Sequence, residues 1–227
     1  MSGEKPDPDF PSLEDLSLPT LEAPGSADLS PAGQGAVLLD GASVALNATK
    51  LVVAETLLAL VIKDLSYPDF MREILLMFLK TIKCEAGSIF EVEPAGKFLF
   101  FRAAAGQQSD RLSALQIPIG RGIVGYAHES RQIACVQDCK HDPRFLKAVD
   151  QTVGFNTRNL IAIPIVIRDR VFCVVEVLNR IGADQFSDED IELVKYIADL
   201  VGKGLEARLM MNWALAQAKN QTAKDVA

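Results

Sequence analysis

The sequence has 227 residues, 49% of them apolar, and a net charge of −7. That is enough chain for one domain with a sizeable core plus extensions. Residues 1–36 hold seven acids (Glu4, Asp7, Asp9, Glu14, Asp15, Glu22, Asp28) against one base, Lys5, so the remainder carries only about −1. A nearly neutral folded part offers no basic surface to nucleic acid or anionic lipid.

Residues 1–36 also carry six of the eleven prolines. A segment so rich in proline and acid cannot bury a core and is expected to be disordered. The start MSGEKPDPDF lacks the basic and apolar regions of a signal peptide. The apolar stretch Leu51–Ile62, broken by Glu55 and Thr56, reads as too short to span a bilayer. With four cysteines (Cys84, Cys135, Cys139, Cys173) expected to be reduced, the location implied is cytoplasmic.

An N-terminal helix is expected over 37–65, helical in pattern from Val44 to Asp64, with Leu51, Leu58 and Ile62 on one stripe beside Ala54. A second helix begins near Ser66, a cap with Asp69 three residues on, and runs to Lys83. Its apolar face is Met71, Leu75, Phe78, Leu79 and Ile82. The period then changes to two. Ser88–Glu93 and Lys97–Ala104 read as a hairpin turning at Pro94-Ala95-Gly96.

Leu115–Ile119 is a short strand, Arg121–Glu129 a short helix entered through glycines, and Ile133–Val136 another strand. Asp142-Pro143 reads as the start of a helix that ends at Gly154. Leu160–Ile167 and Val171–Leu178 form the most apolar strand pair. Ser187 with Asp190 is a capping box opening a last helix that continues past Trp213, with an extension over 206–227. Strands interleaved with short helices between long terminal helices predict an α+β fold. The terminal helices carry more apolar surface than one sheet face needs, which predicts a homodimer.

Several segments, in order, resemble a GAF domain over residues 66–205. They are Ile117-Pro118-Ile119-Gly120-Arg121-Gly122-Ile123-Val124-Gly125, Val136-Gln137-Asp138, Asp142-Pro143-Arg144-Phe145, Gly154 to Leu160 running into Ile163-Pro164-Ile165, Glu176 to Arg180, and Phe186 to Asp190. The similarity is greatest to the GAF domains of cyclic-nucleotide phosphodiesterases and adenylate cyclases. It implies a six-stranded antiparallel sheet flanked by helices and a pocket for a cyclic nucleotide such as cAMP or cGMP. By position, the implied pocket residues are Ser88, Ile123, Val124, Asp150, Thr157 and Glu176, with Phe155 and Arg158 nearby. The family motif appears as Asn179, Arg180, Phe186 and Asp190, with Ile191 where the family has glutamate.

A cyclic nucleotide needs donors for its phosphate, polar groups for its base and apolar walls. The N-terminus at Gly122-Ile123-Val124 can supply donors, and Thr157 and Ser88 hydroxyls. Glu176 lies inside an apolar strand, where a carboxylate is unfavourable unless paired. It either serves a ligand, faces solvent, or pairs with Arg158 or Arg168. Asp150 reads equally plainly as a solvated helix-face residue, and Thr157 and Ser88 as partners of backbone groups.

Catalytic readings are weaker. His141-Asp142 lacks the further ligands a dinuclear metal centre needs, since His128 is the only other histidine. Cys135, Cys139 and His141 lack a fourth zinc ligand. A redox role for Cys135 and Cys139 requires them to be close and exposed. The reading is therefore a non-enzymatic sensor module without a metal or other cofactor. It binds a small molecule, dimerises, and signals through its terminal helices to a protein partner of unknown identity. The alternative is a ligand-free interaction scaffold acting through its acidic tail or those helices.

Overall fold

The computed structural model describes residues 41–106 and 116–225. The expected acidic tail and the strand start at Leu115 lie outside these residues. The elements run α1 (Gly41–Ile62), α2 (Tyr67–Ile82), β1 (Cys84–Val92), β2 (Phe98–Ala105), β3 (Gln116–Pro118), α3 (Gly122–Ser130), β4 (Ala134–Val136), α4 (Lys147–Val153), β5 (Leu160–Ile167), β6 (Arg170–Arg180) and α5 (Asp188–Asp225). Six strands form one antiparallel sheet in the order β3-β2-β1-β6-β5-β4. This is the α+β architecture anticipated, with long helices at both ends.

The two faces of the sheet bury different things. Alternation along β6 sends Cys173, Val175 and Val177 to one side, where α1, α2 and α5 pack with Phe70, Phe78, Ile163, Ile197 and Val201 into one core. Val174 turns to the other side, with Phe90, Leu99, Ile123, Val124 and Leu160. Glu176 and Leu178, two and four residues on, share that second face.

α2 begins where Ser66 caps it: the Ser66 Oγ accepts from the Asp69 N–H at 3.3 Å, and Pro68 sits in the first turn. All five residues of its expected apolar face are buried. The capping box of α5 closes in both directions, Asp190 N to Ser187 Oγ at 3.1 Å and Ser187 N to Asp190 Oδ2 at 3.0 Å.

Three expectations need correction. The helix expected from Asp142-Pro143 begins only at Lys147, although Gly154 ends it as predicted, with φ +71°. Asp142 instead closes a turn, accepting from the Arg144 N–H at 2.9 Å, and the chain spends Phe145 and Leu146 lining a cavity before it can coil. In α1 the stripe Leu51, Leu58, Ile62 is the exposed face, while Val53, Leu57, Leu60 and Val61 are buried. This helix is apolar nearly all round, so periodicity alone does not choose its inner face. Its 22 residues are also long and apolar enough by composition to cross a membrane, contrary to the reading of Leu51–Ile62 as too short. As folded, its buried side is domain core.

α1 and α5 run parallel. Lys50 meets Glu192 at 2.6 Å, Leu57 and Val61 pack over Gly204, and Arg208 reaches the end of α1. The buried Arg208 guanidinium donates to the carbonyls of Leu60, Val61, Lys63 and Leu65 and stacks on Phe70. A cation at a helix C-terminus is favoured by the helix dipole and satisfies orphan carbonyls.

Candidate functional site

A cavity of about 70 Å³ lies on the sheet face opposite the long helices, enclosed by β1, β2, β6, α3 and α4. Small residues make the room. Glu176 on β6 pairs across the sheet with Ser88 on one side and Ala162 on the other, and Gly87 and Ala86 precede Ser88. A Cβ on Gly87 would stand 2.5 Å from the Glu176 carbonyl oxygen, so a larger residue would push β1 away from β6. Apolar walls come from Phe90, Phe101, Ile117, Phe145, Leu146 and Phe155. Gly122, at φ +73°, turns the chain into α3 directly beneath Leu146. α3 carries no side-chain cap at its N-terminus, and Gly122, Ile123 and Val124 line the cavity there.

Seven of the eight residues assigned to the pocket by position converge on this cavity: Ser88, Ile123, Val124, Asp150, Phe155, Thr157 and Glu176. Arg158 does not. Its guanidinium turns out of the cavity to Glu85 at 2.9 Å. The other cavity residues, Phe101, Phe145, Leu146 and Val149 among them, carry no chemical signature in sequence. Only their place beside the polar residues in three dimensions marks them.

The polar groups of the cavity are not equally free. Asp150, on α4, accepts from the Thr157 N–H and the Thr157 hydroxyl, both at 2.7 Å. Its own carbonyl accepts from Gly154 N and Phe155 N. Asp150 and Thr157 thus tie α4 to the chain entering β5. Glu176 has no hydrogen-bond or ionic partner among the described residues. Arg168, the other partner considered for it, is taken by Glu206 at 2.6 Å. The Glu176 side chain lines the cavity. Burial, and then the nearby Asp150 carboxylate, push its pKa from an ordinary 4.5 up to about 8.

Glu91, the buried acid of β1, shows what is missing. It accepts from Tyr67 Oη at 2.5 Å and from Arg102 at 2.7 Å. Glu91 is a satisfied structural acid. Glu176 is an unsatisfied one facing empty space, a combination that marks binding sites more often than cores.

The motif residues stand apart from the cavity. Asn179, buried at φ +59°, accepts from Arg158 N and donates to Glu85 and to the Asn156 carbonyl. Arg180 Nε donates to Asp190 at 2.9 Å. The Phe186 backbone is held by both ends of the Gln137 amide, at 2.8 and 2.9 Å. Together they lock the exit of β6 to the start of α5. Ile191 follows this lock on α5, half-buried against the helix-side core.

The cysteines do not form a reactive pair. Cys135 turns to the helix-side core and Cys139 is buried on the cavity side, so the sheet separates them. Burial raises both thiols above the ordinary value, Cys139 to about 12. Among the described residues no group of three or more His, Cys, Asp or Glu could hold a metal.

Comparison with known proteins matches this architecture. The chain is 32% identical over 114 residues to the mouse cone cGMP-specific 3',5'-cyclic phosphodiesterase subunit alpha', covering 50% of this chain and 12% of that protein. It is 29% identical over 140 residues to the dual 3',5'-cyclic-AMP and -GMP phosphodiesterase 11A of Takifugu rubripes, covering 58% and 16%. The chain therefore spans only a small part of these relatives. Among solved structures, the GAF domain of a phosphoenolpyruvate-protein phosphotransferase from Coxiella burnetii superposes with a TM-score of 0.61 at 15% identity, over 77% of this chain and 98% of that one. A free methionine-R-sulfoxide reductase from Neisseria meningitidis superposes at 0.56 with 18% identity, over 73% and 89%. At such identities these two share the fold alone. Residues 67–205 match the GAF domain family, more than half of the chain, and the protein belongs to that family of regulatory small-molecule-sensing modules.

Proposed function

We propose that the cavity binds a purine cyclic nucleotide and that the domain senses it without catalysing a reaction. The observation that carries this reading is Glu176, an acid with no partner among the described residues, in a cavity walled mainly by apolar side chains that also opens onto an uncapped helix N-terminus. The phosphate would sit at the α3 N-terminus, where backbone N–H groups and the helix dipole favour an anion. Phe101, Phe145 and Phe155 would wall the base.

With its pKa near 8, Glu176 is mostly a neutral acid at pH 7, with one donor and one acceptor. That pair complements the N6–H and N1 of adenine better than the two donors on the corresponding edge of guanine. The reading therefore favours cAMP over cGMP, although one relative is named cGMP-specific. At about 70 Å³ the cavity is smaller than the roughly 300–1,000 Å³ of typical ligand sites. Entry requires α4, held by the Asp150–Thr157 pair, to move outward.

The small cavity also supports a second reading, a domain whose closed pocket holds no ligand and which serves as a scaffold. A thermal-shift titration separates the two. At about a hundred times its dissociation constant a ligand adds about 2.7 kcal/mol of stability. A cAMP-dependent shift that is lost in the double variant Glu176→Ala, Thr157→Ala supports the sensor. No shift with cAMP, cGMP or cyclic dinucleotides favours the scaffold.

A further inference from the structure

The cavity holds two acids and no base. Asp150 on α4 and Glu176 on β6 line it, and among the described residues that line it none is a lysine, arginine or histidine. β1 sets Ser88 beside Glu176 and β5 sets Ala162 there. β2, β3 and α3 contribute apolar residues only. Burial, then the Glu176 and Asp150 charges, keep the nearby Cys139 thiol neutral, with its pKa raised to about 12. The bases of neighbouring segments are engaged elsewhere, Arg144 by Asp142, Arg158 by Glu85 and Arg180 by Asp190. Arg121 and Lys147, at the starts of α3 and α4, are exposed, and neither they nor His128 line the cavity.

An anion entering this space meets charge of its own sign. Asp150 accepts two hydrogen bonds from Thr157, and its negative charge bears on Glu176. In a cavity of about 70 Å³ all such charges lie close together, at a dielectric where they interact far more strongly than in water. Like charges sharing a site cannot all ionise, and the group that yields is the one without a partner. That group is Glu176. Burial and the Asp150 charge already push it to about 8, and a phosphate at the α3 N-terminus raises it further.

We propose that Asp150 and Glu176 form a charge filter: the cavity admits a ligand with one negative charge, Glu176 takes a proton from solvent as that ligand enters, and a second negative charge is excluded. This rests on the cyclic-nucleotide reading of the cavity and adds what the site rejects and what regulates it. A cyclic phosphodiester carries a single charge throughout the range around neutrality. A linear 5′-monophosphate, with a second pKa of about 6, carries nearly two at pH 7.5. The filter therefore separates cAMP from 5′-AMP by charge. It also makes the sensor release its ligand as pH rises through the range where free Glu176 ionises, because the proton must then be taken from solvent before the anion can bind.

Titration calorimetry of the full chain tests it. The Kd for cAMP should be constant from pH 5.5 to 7 and weaken about tenfold between pH 7 and 9. At pH 8, buffers of different ionisation enthalpy should reveal uptake of roughly half a proton per ligand, a readout that needs no variant. Glu176→Gln keeps a donor and an acceptor. It should bind cAMP at pH 7 within about threefold of wild type and lose the pH dependence. 5′-AMP should bind at least about tenfold more tightly at pH 5.5, where it carries one charge, than at pH 7.5. A cAMP affinity that stays flat to pH 9 without proton uptake would overturn the filter and leave the nucleotide reading standing. So would a Glu176→Gln chain that folds but loses cAMP at pH 7 or still weakens with pH, or 5′-AMP binding that is equal at the two pH values or absent at both. No cAMP binding at any pH would overturn the nucleotide reading and the filter with it.

Discussion

The two faces of the sheet follow different rules. The helix face is filled with aliphatic and aromatic side chains, and its acid Glu91 is bonded to Tyr67 and Arg102. The opposite face is walled by phenylalanines but left partly empty, and its acid Glu176 has no partner among the described residues. Incomplete packing and a buried acid without a partner each lower stability. Finding both at one place, in a molecule that avoids both on its other face, points to a site shaped by something other than folding.

The largest expected effect tests the packing half of that contrast. Phe78 is fully buried on the helix face, and Phe78→Ala should destabilise by about 3–5 kcal/mol, the usual loss for a core aromatic. Phe155 lines the existing cavity and loses fewer neighbours when cut back. Phe155→Ala should lower stability by only about 1–2 kcal/mol. Urea midpoints at equal m-values compare the two. Equal losses would mean that the cavity face is packed as tightly as the core.

The next effect tests the charge half. The folded pKa of Glu176 lies near 8, above the ordinary 4.5 expected when unfolded. Below pH 4.5 both states hold the proton, and the group leaves stability unchanged. As pH rises from 4.5 to 8 the unfolded chain loses its proton first, so stability falls across that window. Glu176→Gln removes the titration. The variant should match wild type near pH 4.5 and exceed it by about 2–4 kcal/mol at pH 8.5, less than full desolvation predicts because the cavity has room for water. Parallel stability curves for the two proteins would show that Glu176 is solvated or paired.

Much of this was legible in the sequence because it rests on local rules. Ser66, Gly154 and the Ser187–Asp190 box mark helix ends by backbone chemistry that acts within a few residues, and two short apolar runs marked β5 and β6. Seven pocket residues were reached through positional resemblance, and Glu176 was conspicuous as an acid in an apolar strand. The failures are long-range. Which stripe of α1 faces inward depends on α5, nearly 150 residues away. Arg158 turned outward because Glu85, on a distant strand, reaches it first. α4 starts late because the cavity claims Phe145 and Leu146, a demand that no capping pattern encodes.

The smallest effect concerns how the site opens. Asp150 and Thr157 share two hydrogen bonds, one to the Thr157 N–H and one to its hydroxyl. Thr157→Val deletes only the second, and its near-equal shape leaves the packing intact. A hydrogen bond to a charged acceptor contributes about 1.5–3 kcal/mol, and the surviving bond should hold the local loss near 1–2 kcal/mol. Because α4 covers the cavity and contributes little to the helix-side core, the loss should appear as local opening and not as global unfolding. Amide exchange over 147–153 should then accelerate roughly tenfold, with β5, β6 and the melting temperature nearly unchanged. Uniform acceleration across the sheet would mean that α4 opens only with the whole domain. Entry to the cavity would then require far more than the release of one helix.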